Sequence, residues 1–287
     1  MSLAQFMNQD SCVSLESHLE RISLESEFLV NMLETFKTVI PSFVSKLRDA
    51  NTHLADTSKA QDTLDIELSK KEKKALEYSK HLDFVGFGDR LISVPENFKG
   101  DYIKYAMLLN NVATVAYQTQ NTILAEYNQI LSAFITNKED KISLKDHTTF
   151  FNRIKAEREA YGEKLGVFLN KKTGVSKMRF RDVISRMADL EPLIHQASQL
   201  GSQHSRAKLQ DINHSVDHCV DLLDLVVTGV QDGTIKNISP NATMNISRGA
   251  YEVAKYVEFV GLVYFDITVF LNSVNSMLDS IINVNAA

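Results

Sequence analysis

The apolar residues in the N-terminal part of the chain follow a heptad spacing. Alternating steps of four and three residues predict a helix whose apolar side packs along another helix, while Glu, Ser, Lys, Asp and Thr occupy the solvated positions. Pro41 lies inside this pattern and lacks an N–H group, so we expect a kink or a helix restart near residue 40. The seam contains Leu15, Leu19, Ile22, Leu29, Leu33, Phe36, Ile40, Phe43, Leu47 and Leu54, with Leu64 and Leu68 in the same phase.

A second seam with the same spacing occupies the C-terminal part. A flanking row of Tyr256, Val263, Phe270 and Met277 makes the middle of this helix apolar nearly all round. Such a helix is buried in a helical core, lies at a protein–protein interface or enters a membrane. We expect a bundle seam or subunit interface formed by Val253, Val257, Val260, Tyr264, Ile267, Leu271, Val274 and Leu278.

The composition of this C-terminal helix argues against a membrane span. Its most apolar stretch, residues 256–271, contains Glu258 and Asp266 and is shorter than the roughly 20 residues that a bilayer needs. A carboxylate near the bilayer centre costs on the order of 2.5–3.5 kcal/mol. The N-terminus has neither a basic segment nor a long apolar segment. The sequence therefore predicts no transmembrane segment and no signal peptide.

Between the two seams, the pattern predicts further helices over residues 101–137, 143–169, 177–200 and 202–230, interrupted by a Gly- and Pro-containing break at 81–100. Within the break, Leu91–Val94 could form a loop or a short strand. The chain has only 11 Gly and 4 Pro, which does not suit a turn-rich β protein. We therefore expect an all-α fold, an elongated bundle of long antiparallel helices with coiled-coil-like seams. It would form a single domain over residues 1–287 with a possible hinge at 81–100.

Charge identifies one candidate binding segment. The chain carries 31 Lys and Arg against 36 Asp and Glu, a net charge of −5, which excludes a globally basic nucleic-acid binder. Residues 170–181 nevertheless contain five cations and no acid. This segment could bind phosphate groups of nucleic acid or lipid, bind an acidic protein partner, or be a solvated loop. The five residues are Lys171, Lys172, Lys177, Arg179 and Arg181.

Metal binding and catalysis have little support. Asp211, His214, His218 and Asp221 share one helix face, and a His pair at this spacing can chelate zinc. The apolar residues of that helix lie on the opposite face, so the pattern favours a solvated polar face over a metal site. Cys219 lies on the apolar side, as a packing residue does. We predict no catalytic residue, no cofactor and no metal, and hence a protein that is not an enzyme.

Two segments carry a resemblance. SLESHLERISLESEFLVNMLETF and AYEVAKYVEFVGLVYFDITVFLNSVNSML resemble the long helices of uncharacterised structural proteins of large tailed bacteriophages. The resemblance implies a virion or assembly component whose partners are copies of itself or other subunits. Its location would be the virion or the cytoplasm of the producing cell. The resulting prediction is a non-enzymatic structural or interaction protein of a multi-subunit assembly, and nucleic acid is a weaker candidate partner.

An alternative function remains open. Long helices of this kind also resemble those of α-helical pore-forming toxins. The alternative is a membrane-acting helical protein, pore-forming or membrane-binding, that exposes its apolar C-terminal helix.

Overall fold

The computed structural model describes residues 35–95, 102–136, 152–153, 155–156, 159, 175–203, 206–235 and 240–284. These residues form long helices and one small antiparallel sheet, so the predicted all-α class is confirmed. The helices are α1 (Ile40–Ser79), α2 (Phe84–Phe87), α3 (Tyr102–Ile135), α4 (Phe180–Val183), α5 (Leu190–Gln203), α6 (Arg206–Gln231) and α7 (Pro240–Val284). The sheet pairs β1 (Leu91–Pro95) with β2 (Val175–Arg179), and a 3-10 turn spans Met187–Asp189.

Prolines and one glycine mark helix ends in the way their backbones require. A π-helical turn at Thr35–Val39 changes to α geometry at Ile40, one residue before Pro41, where the sequence indicated a restart. Pro192 lies in the first turn of α5, and Pro240 opens α7. At these positions the missing N–H would have had no helical partner. Helix α6 ends before Gly233, whose φ of 76° suits glycine.

The predicted helix over 177–200 is wrong in its first half. Residues Val175–Arg179 form β2, and the long helix begins only at Leu190. The cause is pairing with a distant segment, because β1 offers backbone partners that local periodicity cannot reveal. The helices predicted over 101–137 and 202–230 correspond to α3 and α6. The one predicted over 143–169 lies largely outside the described residues.

The chain divides into two compact units. The first contains residues 1–52, 119–164 and 213–259, and the second contains residues 53–118, 165–212 and 260–287. The expected single elongated domain with a hinge at 81–100 stays a prediction.

In the first unit, aromatic pairs join segments distant in sequence. Phe36 stacks on Phe134 with ring centroids 6.4 Å apart, and Phe43 meets Tyr251 edge-on at 5.8 Å. The buried Tyr127 hydroxyl donates a hydrogen bond to the carbonyl of Ile246 at 2.7 Å, so this polar group is satisfied.

Polar contacts at the rim of the first unit tie α1 to α6. The Asn51 amide donates to the Asp217 carboxylate at 2.7 Å, and Arg48 forms an ion pair with Asp224. Cys219 of α6 is fully buried, and burial raises the pKa of its thiol to about 12. A thiol with this pKa is protonated at neutral pH and is a poor nucleophile, which agrees with a packing role.

In the second unit, an aromatic cluster joins α3 to α7. The ring of Phe270 lies 5.1 Å from that of Tyr102 and 5.6 Å from that of Tyr105. Toward the end of α7, Lys71 pairs with Asp279 at 2.8 Å, and the Asn275 amide donates to the carbonyl of Leu64 at 2.9 Å. Apolar packing and a few side-chain hydrogen bonds therefore hold α7 in this unit.

All described residues of the two predicted seams except Leu64 are buried. In α7, each of the eight seam residues from Val253 to Leu278 is exposed by 1% or less. In the N-terminal seam, Leu64 is only partly buried, and the positions from Leu15 to Leu33 lie outside the described residues. The other described members are buried, namely Phe36, Ile40, Phe43, Leu47, Leu54 and Leu68.

The expectation that no segment could span a membrane is wrong. Helix α7 is 45 residues long, and its part from Ala242 to Val284 contains an 18-residue stretch that is apolar enough to cross a bilayer. The sequence estimate counted only residues 256–271, whereas the helix continues well beyond both ends. The core helix of a soluble protein has the same properties, and 61% of this stretch is buried inside the protein. The location in a virion or the cytoplasm therefore loses its support.

The burial of α7 gives a first prediction. Leu271→Asp places a charge at a position with no solvent exposure, and we expect it to lower the free energy of unfolding by more than about 3 kcal/mol. The exposed neighbour supplies a matched control, because Asn272→Asp adds the same charge one residue later on the solvent side. Urea denaturation followed by circular dichroism measures both. Equal midpoints for the two variants would contradict the assignment of α7 to the core.

Candidate functional site

The two-stranded sheet of the second unit brings together segments that are far apart in sequence. Ile92 and Val94 are buried on one face of β1. On the other face, Leu91 lies opposite Arg179 and Ser93 lies opposite Lys177. We call these four residues the strand-pair face. Leu91 is 62% exposed, and Lys177 and Arg179 are exposed as well, so this face presents cations beside an apolar side chain.

An aromatic anchor holds the end of β2 in place. Phe180, the first residue of α4, is fully buried and contacts the rings of Phe87 at 4.7 Å and Phe84 at 6.1 Å. Its N–H donates to the carbonyl of Arg90 at 2.8 Å. A Cβ on Gly88 would lie 2.7 Å from the carbonyl oxygen of Phe84, so only glycine fits here. Phe87 and Gly88 of the predicted break thus have packing roles.

The structure places three of the five predicted cations, and each has a polar partner. Arg179 pairs with Asp182 at 2.8 Å, and Arg181 pairs with Asp89 at 2.7 Å. The hydrogen bond and charge of each partner raise the pKa of Arg179 and lower that of Asp182.

Lys177 differs from the two arginines, since it donates to the Ser93 hydroxyl at 2.8 Å and has no carboxylate partner among the described residues. Lys171 and Lys172 lie outside those residues. Sequence reasoning missed Asp89 because it belongs to a distant segment, and Asp182 because it follows directly after the basic stretch. Anion binding by the five cations stays a prediction.

A buried polar chain lies beneath the sheet. The Tyr102 hydroxyl donates to Ser273 Oγ at 2.5 Å, and the Ser273 hydroxyl donates to the carbonyl of Ser93. Burial raises the pKa of Tyr102, so its hydroxyl is protonated and available as a donor at neutral pH. This chain links α3 and α7 to β1. The heptad pattern gave no signal for it, because neither residue belongs to a recognisable motif.

Asp266 is a buried carboxyl group whose pKa lies near neutral pH. It lies on α7 and is only 3% exposed, and burial raises the pKa of its carboxyl group to about 7. Tyr105 of α3 lies close enough for the Asp266 charge, after burial itself, to raise the pKa of the tyrosine. The carboxyl group is therefore partly protonated at neutral pH.

The polar face of α6 agrees with the sequence analysis. Asp211, His214, His218 and Asp221 are all exposed, and Asp211 accepts a hydrogen bond from the Tyr117 hydroxyl at 3.2 Å. Within the described part of the chain, no group of three or more His, Cys, Asp or Glu side chains is placed to hold a metal ion.

No family model, no curated protein and no solved structure matches this chain. Arguments about function therefore rest on the surfaces and buried groups described above.

The buried carboxyl group gives a pH-dependent prediction. Because the pKa of Asp266 is raised from 3.8 to about 7, the folded state binds a proton that the unfolded state releases, and the stability this contributes is lost as pH rises through 7. Asp266→Asn should be increasingly more stable than the wild type from pH 4 to pH 7, by at most about 1.4 kcal/mol per pH unit. The difference should level off above pH 7.

Chemical denaturation at a series of pH values measures this difference. Asp182→Asn is the matched control, because the pKa of Asp182 is lowered from 3.8. Its carboxyl group is ionised in both the folded and the unfolded state above about pH 5, so the difference of this variant from the wild type should stay constant from there to about pH 7. A difference between Asp266→Asn and the wild type that does not change with pH would contradict the prediction.

Proposed function

We propose that this protein is a non-enzymatic structural or interaction subunit of a multi-subunit assembly, and that it docks on its partners through the strand-pair face and the adjoining helix α2. The observation that carries this proposal is the exposure of two large apolar side chains there, Val85 by 75% and Leu91 by 62%. Helix α2 packs against the end of β2 through Phe84 and Phe87, so both residues belong to one locality.

The chemistry of this surface suits a protein partner. Protein interfaces combine apolar contacts with a polar rim and are enriched in arginine. Leu91 lies opposite Arg179, and Arg181 with its partner Asp89 belongs to the same strand–helix region. Burying one such apolar side chain contributes roughly 1.5–3 kcal/mol before entropic costs.

A co-purification experiment tests the docking surface. Tagged full-length protein is isolated from cells that make the whole assembly, and bound subunits are quantified by mass spectrometry. We expect a stoichiometric partner that is reduced at least about tenfold for the double variant Val85→Asp/Leu91→Asp, since a tenfold change needs only about 1.4 kcal/mol.

Ile66→Asp is the matched control, because Ile66 is a similarly exposed apolar residue on α1. Circular dichroism establishes that all variants are folded. Undiminished partner binding by a folded double variant would overturn the assignment of this surface.

A second candidate function rests on α7. Its length and apolar composition would allow it to cross a membrane, which supports a membrane-acting protein that releases this helix from its core. Release would expose many buried apolar side chains to water unless lipid replaced their protein contacts. The assembly proposal and this candidate therefore differ in a measurable property, the binding of lipid.

Vesicle flotation separates the two candidates. The full-length protein is mixed with vesicles of neutral and anionic lipid at pH 7 and at pH 5 and is centrifuged through a density gradient. If α7 stays in the core, we expect the protein to remain at the bottom under all four conditions. Flotation that Leu271→Asp abolishes, with Asn272→Asp as control, would favour the membrane-acting function.

A further inference from the structure

The two edges of the small sheet differ in whether their outward backbone groups have hydrogen-bond partners. The Phe180 N–H donates to the carbonyl of Arg90, and these residues continue the register in which Leu91 lies opposite Arg179. Hydrogen-bonded and non-bonded pairs alternate along an antiparallel ladder. Ser93 of β1 and Lys177 of β2 are therefore a non-bonded pair, and the N–H and C=O groups of both point away from the partner strand.

The outer edge of β1 is closed. The Ser273 hydroxyl of α7 donates to the carbonyl of Ser93, and the Tyr102 hydroxyl in turn donates to Ser273. Another strand could add on this side only by displacing buried hydrogen bonds from the core of the second unit. A partner cannot approach β1 without that cost.

The outer edge of β2 is open at Lys177. At the end of this edge, the side chain of Arg179 donates to the carboxylate of Asp182. The outward N–H and C=O of Lys177 have no partner among the described residues, and its side chain is exposed. An unpaired edge of this kind is a template for one more strand.

The charges of β2 decide which strand can pair there. If the β2 strands of two copies paired about Lys177, they would bring lysines directly opposite each other, and like charges in that position are destabilising. A strand with Asp or Glu opposite Lys177 would instead gain a favourable pair, with Arg179 on the same face. This antiparallel pairing of two copies is therefore unfavourable at the edge, whereas pairing with an acidic segment is favoured.

We propose that the open edge of β2 binds an extended, acidic segment of a partner subunit as the third strand of the sheet. This inference rests on the proposed assembly function and specifies the partner's chemistry. The partner's backbone would pair with the N–H and C=O of Lys177, and a partner carboxylate would lie beside Lys177. Main-chain hydrogen bonds supply affinity in this mode of recognition, and alternate side chains supply specificity.

The test uses the full-length, isotope-labelled protein and a short synthetic peptide in which Glu and Val alternate. Titration followed by nuclear magnetic resonance should give a Kd tighter than about 1 mM, with shifts concentrated at the amides of residues 175–179. A peptide with Lys in place of Glu should not bind. A peptide of the same sequence with N-methylated alternate amides should bind at least about tenfold more weakly, because it cannot complete a ladder.

Variants of the protein separate backbone pairing from charge. Lys177→Pro removes an N–H that points away from β1, so β2 can tolerate it, and it should weaken binding at least about tenfold. Lys177→Glu should abolish binding, whereas Lys59→Glu, a charge reversal at an exposed lysine of α1, should leave it unchanged. If circular dichroism shows that Lys177→Pro is unfolded, backbone pairing is tested instead by the binding of the N-methylated peptide to the wild-type protein.

Three outcomes would overturn the inference: no binding of the Glu–Val peptide at about 1 mM, equal binding of its N-methylated form, or equal losses for Lys59→Glu and Lys177→Glu. The proposed function has its own readout in co-purification with Val85→Asp/Leu91→Asp. If the protein retains its partner in that experiment but does not bind the peptide, only the inference of strand addition is overturned.

Discussion

The burial of one long apolar helix is the interaction on which the rest of the structure depends. Helix α7 contributes to the cores of both units, and its seam residues are excluded from water throughout. In the first unit, the ring of Tyr251 contacts that of Phe43, and the carbonyl of Ile246 accepts a hydrogen bond from Tyr127. In the second unit, the ring of Phe270 contacts those of Tyr102 and Tyr105. Apolar burial is non-directional, so hydrogen bonds such as that of Tyr127 supply the positional detail that it lacks.

The same helix carries the groups that make the second unit sensitive to its environment. Asp266 lies in a region that water does not solvate, and its carboxyl group is neutral for part of the time at pH 7. Ser273 lies two turns further along and fixes the outer edge of β1. Through these two residues, helix α7 contributes both a pH-dependent part of the stability and the hydrogen bond that occupies the outer edge of β1.

The apolar character of α7 also explains why two functions have to be separated by experiment. A helix that is apolar over most of its surface is suited to a protein core and to a bilayer, because both remove it from water. The strand-pair face is a different kind of feature, since Leu91, Lys177 and Arg179 are exposed there. This difference favours docking on a protein partner as the leading function.

The sequence alone determined the all-α class, the positions of α3, α6 and α7, and the residues that α7 buries, because helix periodicity and heptad spacing are local properties read directly from the chain. It also placed the polar face of α6 correctly. Only the tertiary structure decided that residues 175–179 form a strand, that Asp89 neutralises Arg181, and that a serine of α7 closes the edge of β1. Each of these depends on segments many residues apart meeting in space, and no local pattern of hydrophobic and polar positions encodes such a meeting.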